Sequence, residues 1–85
     1  MNAIDWTALK RAKSNHEARL KRLPHVTGVG IGPEVAGGRL TGRMAIKVFV
    51  SEKVPAERLR KQDRIPTELD GFPTDVEVLA PLQAE

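Results

Sequence analysis

Glycine occupies every second position from Gly28 to Gly32 in the stretch HVTGVGIGPEVAGG, residues 25–38. In an extended strand, residues two apart share a face, so one face of this segment carries almost no side chain. His25, Thr27, Val29 and Ile31 are expected on one side, and Val26, Gly28, Gly30 and Gly32 on the other. A bare face lets another element approach the backbone closely. Gly28, Gly30 and Gly32 are therefore expected beneath a close-packed element, either this chain's own helix or a partner's surface. A phosphate loop is the competing reading, and it fails. The dinucleotide fingerprint needs G-x-G-x-x-G opening a helix. Here the spacing is G-x-G-x-G, Pro33 follows Gly32, and no lysine–serine or lysine–threonine pair comes after it.

The segments around this strand are legible from periodicity. Residues 3–23 predict an amphipathic helix, with Asn2 as cap and Asp5 near its positive end. At helical spacing Trp6, Leu9, Ala12, His16, Leu20 and Leu23 share one face, and Pro24 stops the run. Residues 33–42 predict a loop with Gly37-Gly38 at a hairpin tip. In 43–51, Met44, Ile46, Val48 and Val50 alternate with Ala45, Lys47 and Phe49, as in a strand. Pro55 opens a short crossover helix, PAERLRKQ, whose one strong apolar anchor is Leu59. Asp70-Gly71 marks a tight turn that can close a small hairpin, and 72–80 predict a last strand with Phe72, Val76 and Val78 on one face. Residues 81–85 form a tail. The class is α+β in the order α-β-β-α-β: a three- or four-stranded mixed sheet with the long helix on one face.

At 85 residues the chain is expected to form one small domain, 1–85, made of the helix 1–23, a β-β-α-β unit 24–80 and the tail. It has no cysteine, which removes disulfides and thiol chemistry and fits a cytoplasmic setting. The N-terminus lacks the apolar core of a signal peptide. Charge is uneven along the chain. Residues 65–85 carry five acids and no lysine or arginine, while the rest carries the excess of base. The acidic end is expected to lie against basic segments of the same fold, or to meet a basic surface on another copy, or the basic half to meet an acidic partner.

Catalytic and metal chemistry find little support. His16 and His25 are the only histidines, nine residues apart, without metal-ligand spacing. Ser14 and Ser51 lie in no nucleophile elbow. A cleft of ~300 Å³ is hard to build in so short a chain. No enzyme activity, cofactor, membrane partner or small-molecule substrate is expected. Two helices, one of them short, cannot cover both faces of the sheet, so apolar surface is left for protein contacts. Trp6, Leu9, His16, Met44 and Phe49 are the candidate interface residues, with a homo-oligomer or larger assembly as the partner state. The alternative is a basic nucleic-acid-binding accessory protein that uses Lys10, Arg11, Lys21 and Arg22 on phosphates.

The order of motifs LPHVTGVGIG…GGRLTGRMAIKVFVSEKVPAERL…RIPTELDGFPTDVEV resembles the segment that precedes the catalytic domain in some bacterial trypsin-like serine peptidases. The likeness spans about residues 23–78. It rests on Gly28, Gly30 and Gly32, the Gly37-Gly38 turn, the apolar strand leading to Lys53 and Pro55, and the run from Ile65-Pro66 through Asp70-Gly71 to Pro73, Asp75 and Val76. No triad residue of the peptidases has a counterpart here. The resemblance implies a free-standing accessory or regulatory domain that assists folding, recognition or assembly.

Overall fold

The computed structural model describes residues 4–79, so Asn2 as a cap, the last residue of the expected final strand and the tail lie outside the described residues. The elements in chain order are a helix α1 (Trp6–Lys21), strands β1 (Val26–Ala36) and β2 (Arg39–Val50), two single 3₁₀ turns (Ala56–Arg58 and Lys61–Asp63), and strands β3 (Glu68–Leu69) and β4 (Phe72–Val78). The sheet is four-stranded and mixed, in the order β1-β2-β4-β3. β1 and β2 are antiparallel, β2 and β4 parallel, and β3 and β4 antiparallel. This is the expected α+β class.

α1 is shorter than its apolar pattern. It starts at Trp6 because the Asp5 carboxylate accepts from the Ala8 amide at 3.0 Å, satisfying a first-turn donor. Arg19 and Lys21 stand in the last turn, where the helix dipole favours cations. Leu9, Ala12 and Leu20 are buried and meet Ile46, Val48 and Val50 of β2 and Leu69 of β3. The core therefore lies between α1 and the Ile46–Val48–Val50 face of the sheet.

Two differences from the sequence pattern reshape β1. The expected loop 33–42 is mostly strand: β1 runs to Ala36 and β2 begins at Arg39. The turn itself is only Gly37-Gly38, with φ of 60° and 78°, the mirror-image turn that suits strand twist. The second difference is a bulge. Val26 pairs with Val50 but Gly28 pairs with Phe49, so Thr27 is an extra residue in β1. The bulge turns Val26 to the same side as Val29 and Ile31, and all three pack against the core. Strict alternation had placed Val26 with the glycines.

The short crossover helix is realised as two separate 3₁₀ turns rather than one α-helix. Each 3₁₀ turn holds three residues, and Leu59 between them is extended at φ −106°, ψ 143°. A single apolar anchor gives a helix no stripe to bury, so the segment follows its two anchors, Leu59 and Ile65, instead. Asp70-Gly71 does close the β3–β4 hairpin, both residues at positive φ (51° and 85°). Pro73 pairs with Glu68 before the β2 ladder begins at Thr74, so its missing N–H costs that ladder nothing.

Candidate functional site

The face of the sheet opposite α1 is built from short and charged residues and the Phe49 ring. Gly28, Gly30 and Gly32 lie beside Phe49, Lys47 and Ala45 of β2. A Cβ on Gly30 would come 3.2 Å from the Phe49 ring, and one on Gly32 would come 3.3 Å from Lys47 Cγ. The glycines are thus covered by two side chains of the neighbouring strand. The expected seat for α1 on the glycine face is corrected: α1 packs on the Val29–Ile31 face, because the larger apolar side chains are there.

Lys47 is buried on this open face, with 7% of its surface exposed. Its ammonium donates to Asp75 Oδ2 at 2.7 Å and to the Pro33 carbonyl at 3.3 Å, and Glu77 lies 3.5 Å away. Asp75 Oδ2 also accepts from the Val35 amide at 2.9 Å. Asp75 therefore ties β4 to the far half of β1, across β2. The bond to Asp75 holds the Lys47 pKa above its ordinary value, outweighing burial. Burial pushes the Asp75 carboxyl up, but the bonds from Lys47 and Val35 outweigh it and leave it below the ordinary value. Acidic β4 thus meets a basic residue of the same chain. The sequence signal was present: Lys47 falls in the odd-numbered set of the most apolar strand.

β1 is the outer strand, and among the described residues it pairs only with β2. From Gly28 to Pro33 its ladder is regular, bounded by the Thr27 bulge on one side and by a second irregularity before Val35. In that second irregularity β2 carries two extra residues, with Gly42 at φ 88°. There Glu34 accepts from Thr41 Oγ1 at 2.7 Å and from Arg43 Nε at 2.9 Å. Those bonds keep the Glu34 carboxyl below its ordinary pKa.

The residues singled out from the sequence do not converge on one patch. Trp6 is 47% exposed at the start of α1. Leu9 is fully buried, so it is a core residue. Met44 packs at the margin of that core, on the α1 side of the sheet. Phe49 lies on the opposite face over Gly28 and Gly30. His16 is half-buried, its Nε2 3.1 Å from Asp70 in the β3–β4 turn. Of the basic set, Lys10, Arg11 and Arg22 are exposed, while Lys21 bonds Glu17 at 2.9 Å. Glu17 also accepts from Lys13, and the two ammonium groups hold its pKa down at about 2. No cluster of three or more metal-binding side chains lies among the described residues, and no helix there is long and apolar enough to cross a membrane.

One expectation on size is overturned. A cleft of about 460 Å³ lies between the start of β1, the end of β2 and the crossover. It exists because the crossover is extended around Leu59 rather than helical, which leaves Leu59 and Ile65 in its lining. Sequence reasoning missed it because no local pattern encodes an irregular connection. Compared with known proteins, the chain matches no family model and no curated sequence.

Proposed function

We propose that this chain is a non-catalytic, cytoplasmic module that works through protein contacts and self-associates through the open edge of β1. One observation carries the reading: among the described residues β1 ends the sheet, and its central stretch from Gly28 to Pro33 is regular. An unpaired strand edge is a template for another strand. Two copies meeting antiparallel along β1 would make a symmetric contact, each using the same residues. Phe49 and Lys47 already cover the glycines, so the contact would run through the backbone groups along the outer edge of β1. The accessory role implied by the peptidase resemblance is a contact role of the same kind.

The test is light scattering at two concentrations on the full chain and on a Thr27→Lys, Val35→Lys variant. Both positions are exposed on β1, so charge there repels a second β1 without disturbing the core. The reading expects a dimer that the variant loses. A strict monomer at high concentration sinks it.

A second reading is nucleic-acid binding by the exposed Lys10, Arg11 and Arg22 on one helix surface, with Lys21 shared with Glu17. Retention on DNA that weakens steeply with salt, and is lost when Lys10, Arg11, Lys21 and Arg22 are changed together, favours it.

A further inference from the structure

The cleft beside the crossover has the features of a binding site. Its volume of about 460 Å³ falls within the range of ligand pockets, ~300–1,000 Å³. Val50, Val54, Leu59 and Ile65 make it mainly apolar. Its charged groups differ in what they have left to offer. Asp63 is taken up by Arg60 Nε at 3.1 Å, and Glu52 faces His25 Nδ1 at 3.5 Å. Lys53 has no ion-pair partner among the described residues. Among the described residues Arg64 bonds only through its Nε, to the Leu59 carbonyl at 3.2 Å. That bond sets the plane of the guanidinium and leaves the N–H groups of its two terminal nitrogens to donate to a carboxylate as a fork.

The wall at His25 is held in an unusual shape. His25 has φ of 70°, a left-handed conformation uncommon outside glycine. Its carbonyl accepts from the Ser51 amide at 2.8 Å and lies 3.5 Å from Ser51 Oγ, which fixes the end of β2 against the start of β1. Strain that the surrounding structure sustains in this way clusters at binding sites.

We infer that this cleft binds a short acidic and apolar peptide segment of a partner protein. Its apolar side chains lie on Leu59 and Ile65, and its carboxylates meet Lys53 and Arg64. Lys53 and Arg64, neither in an ion pair among the described residues, select for acid, and the apolar walls select against a purely polar segment. The cleft is separate from the Gly28–Pro33 edge, so this site stands whether or not the chain self-associates.

Fluorescence anisotropy of the full chain with a labelled peptide, Leu-Leu-Asp-Asp-Leu-Leu, tests it. Two control peptides carry lysine for aspartate or serine for leucine. Saturable binding of the acidic apolar peptide is expected, at least about tenfold tighter than either control. Lys53→Glu with Arg64→Glu is expected to reverse the preference toward the lysine peptide. Ala56→Trp, which fills the cleft, is expected to weaken binding about tenfold while the thermal melt is unchanged. Equal binding of the acidic and basic peptides, or no change on charge reversal in a folded variant, overturns the inference. So does the absence of saturable binding.

Discussion

Lys47 Nζ and Asp75 Oδ2 lie 2.7 Å apart on neighbouring parallel strands, both side chains nearly out of solvent. This contact fixes the open face of the sheet, since the same carboxylate oxygen holds the Val35 amide of β1. Removing one partner leaves the other charged and buried. Lys47→Met or Asp75→Asn alone is expected to cost about 2 kcal/mol, a large share of a stability on the order of 5 kcal/mol. The double variant is expected to cost less than the sum. Urea denaturation of all four proteins measures the coupling; additive losses would show that the pair does not act as a unit.

The glycine shelf gives a graded prediction. Gly30→Val places a Cβ 3.2 Å from the Phe49 ring and is expected to destabilise by about 1–3 kcal/mol. Gly28→Ala meets the same ring at 3.8 Å, an ordinary contact, and is expected to stay within about 0.5 kcal/mol of the parent. Phe49→Ala in the Gly30→Val background is expected to recover part of the loss. Thermal melts of the four proteins check the ranking. Equal effects at Gly28 and Gly30 would mean that Phe49 is not what covers the shelf.

Helix residues separate in the same way. Leu9 is fully buried under the sheet, and Leu9→Ala is expected to cost about 3 kcal/mol. Trp6 is half in solvent, and Trp6→Ala is expected to change stability by about 0.5 kcal/mol or less. Denaturant midpoints report both. A large loss at Trp6 would place its indole in the core.

Stability is expected to fall in acid and at very high pH. Asp75, Glu34 and Glu17 all have pKa values below their ordinary 3.8 and 4.5. When the folded pKa is the lower, the unfolded chain takes up protons first as pH drops. The stability these groups contribute is therefore complete above about pH 5 and is lost as pH falls through their folded values. Lys47 is shifted the other way, so its contribution persists below its ordinary 10.5 and is lost as pH rises through a higher folded value. Urea midpoints at about pH 7, 4 and 2.5 check the acid side. Asp75→Asn is expected to flatten the slope, and an unchanged slope would remove Asp75 from the account.

The parts of this fold that were legible in the sequence are those with local causes. The apolar stripe Leu9–Ala12–Leu20 gives α1, Gly37-Gly38 gives the hairpin tip, and Asp70-Gly71 gives the β3–β4 turn. The parts that were hidden depend on partners far along the chain. Alternation cannot reveal the Thr27 bulge, which is set by pairing with Phe49 and Val50. The choice of face for α1 was decided by Val26, Val29 and Ile31 competing with glycines, once the bulge had moved Val26. The cleft needed both the extended crossover and the His25–Ser51 contact, neither of which has a sequence signature. Of the candidate interface residues, Leu9 and Met44 went to the core side because the same apolar character serves either role.

The central claim is that the open edge of β1 pairs with a second copy. Amide hydrogen exchange at Gly28–Gly32, measured at two protein concentrations, reads that edge directly. The account predicts that the outward-facing amides there become more protected as concentration rises, in step with a particle of twice the 9.4 kDa chain mass. Protection that stays the same at both concentrations, with a mass of 9.4 kDa throughout, would contradict it.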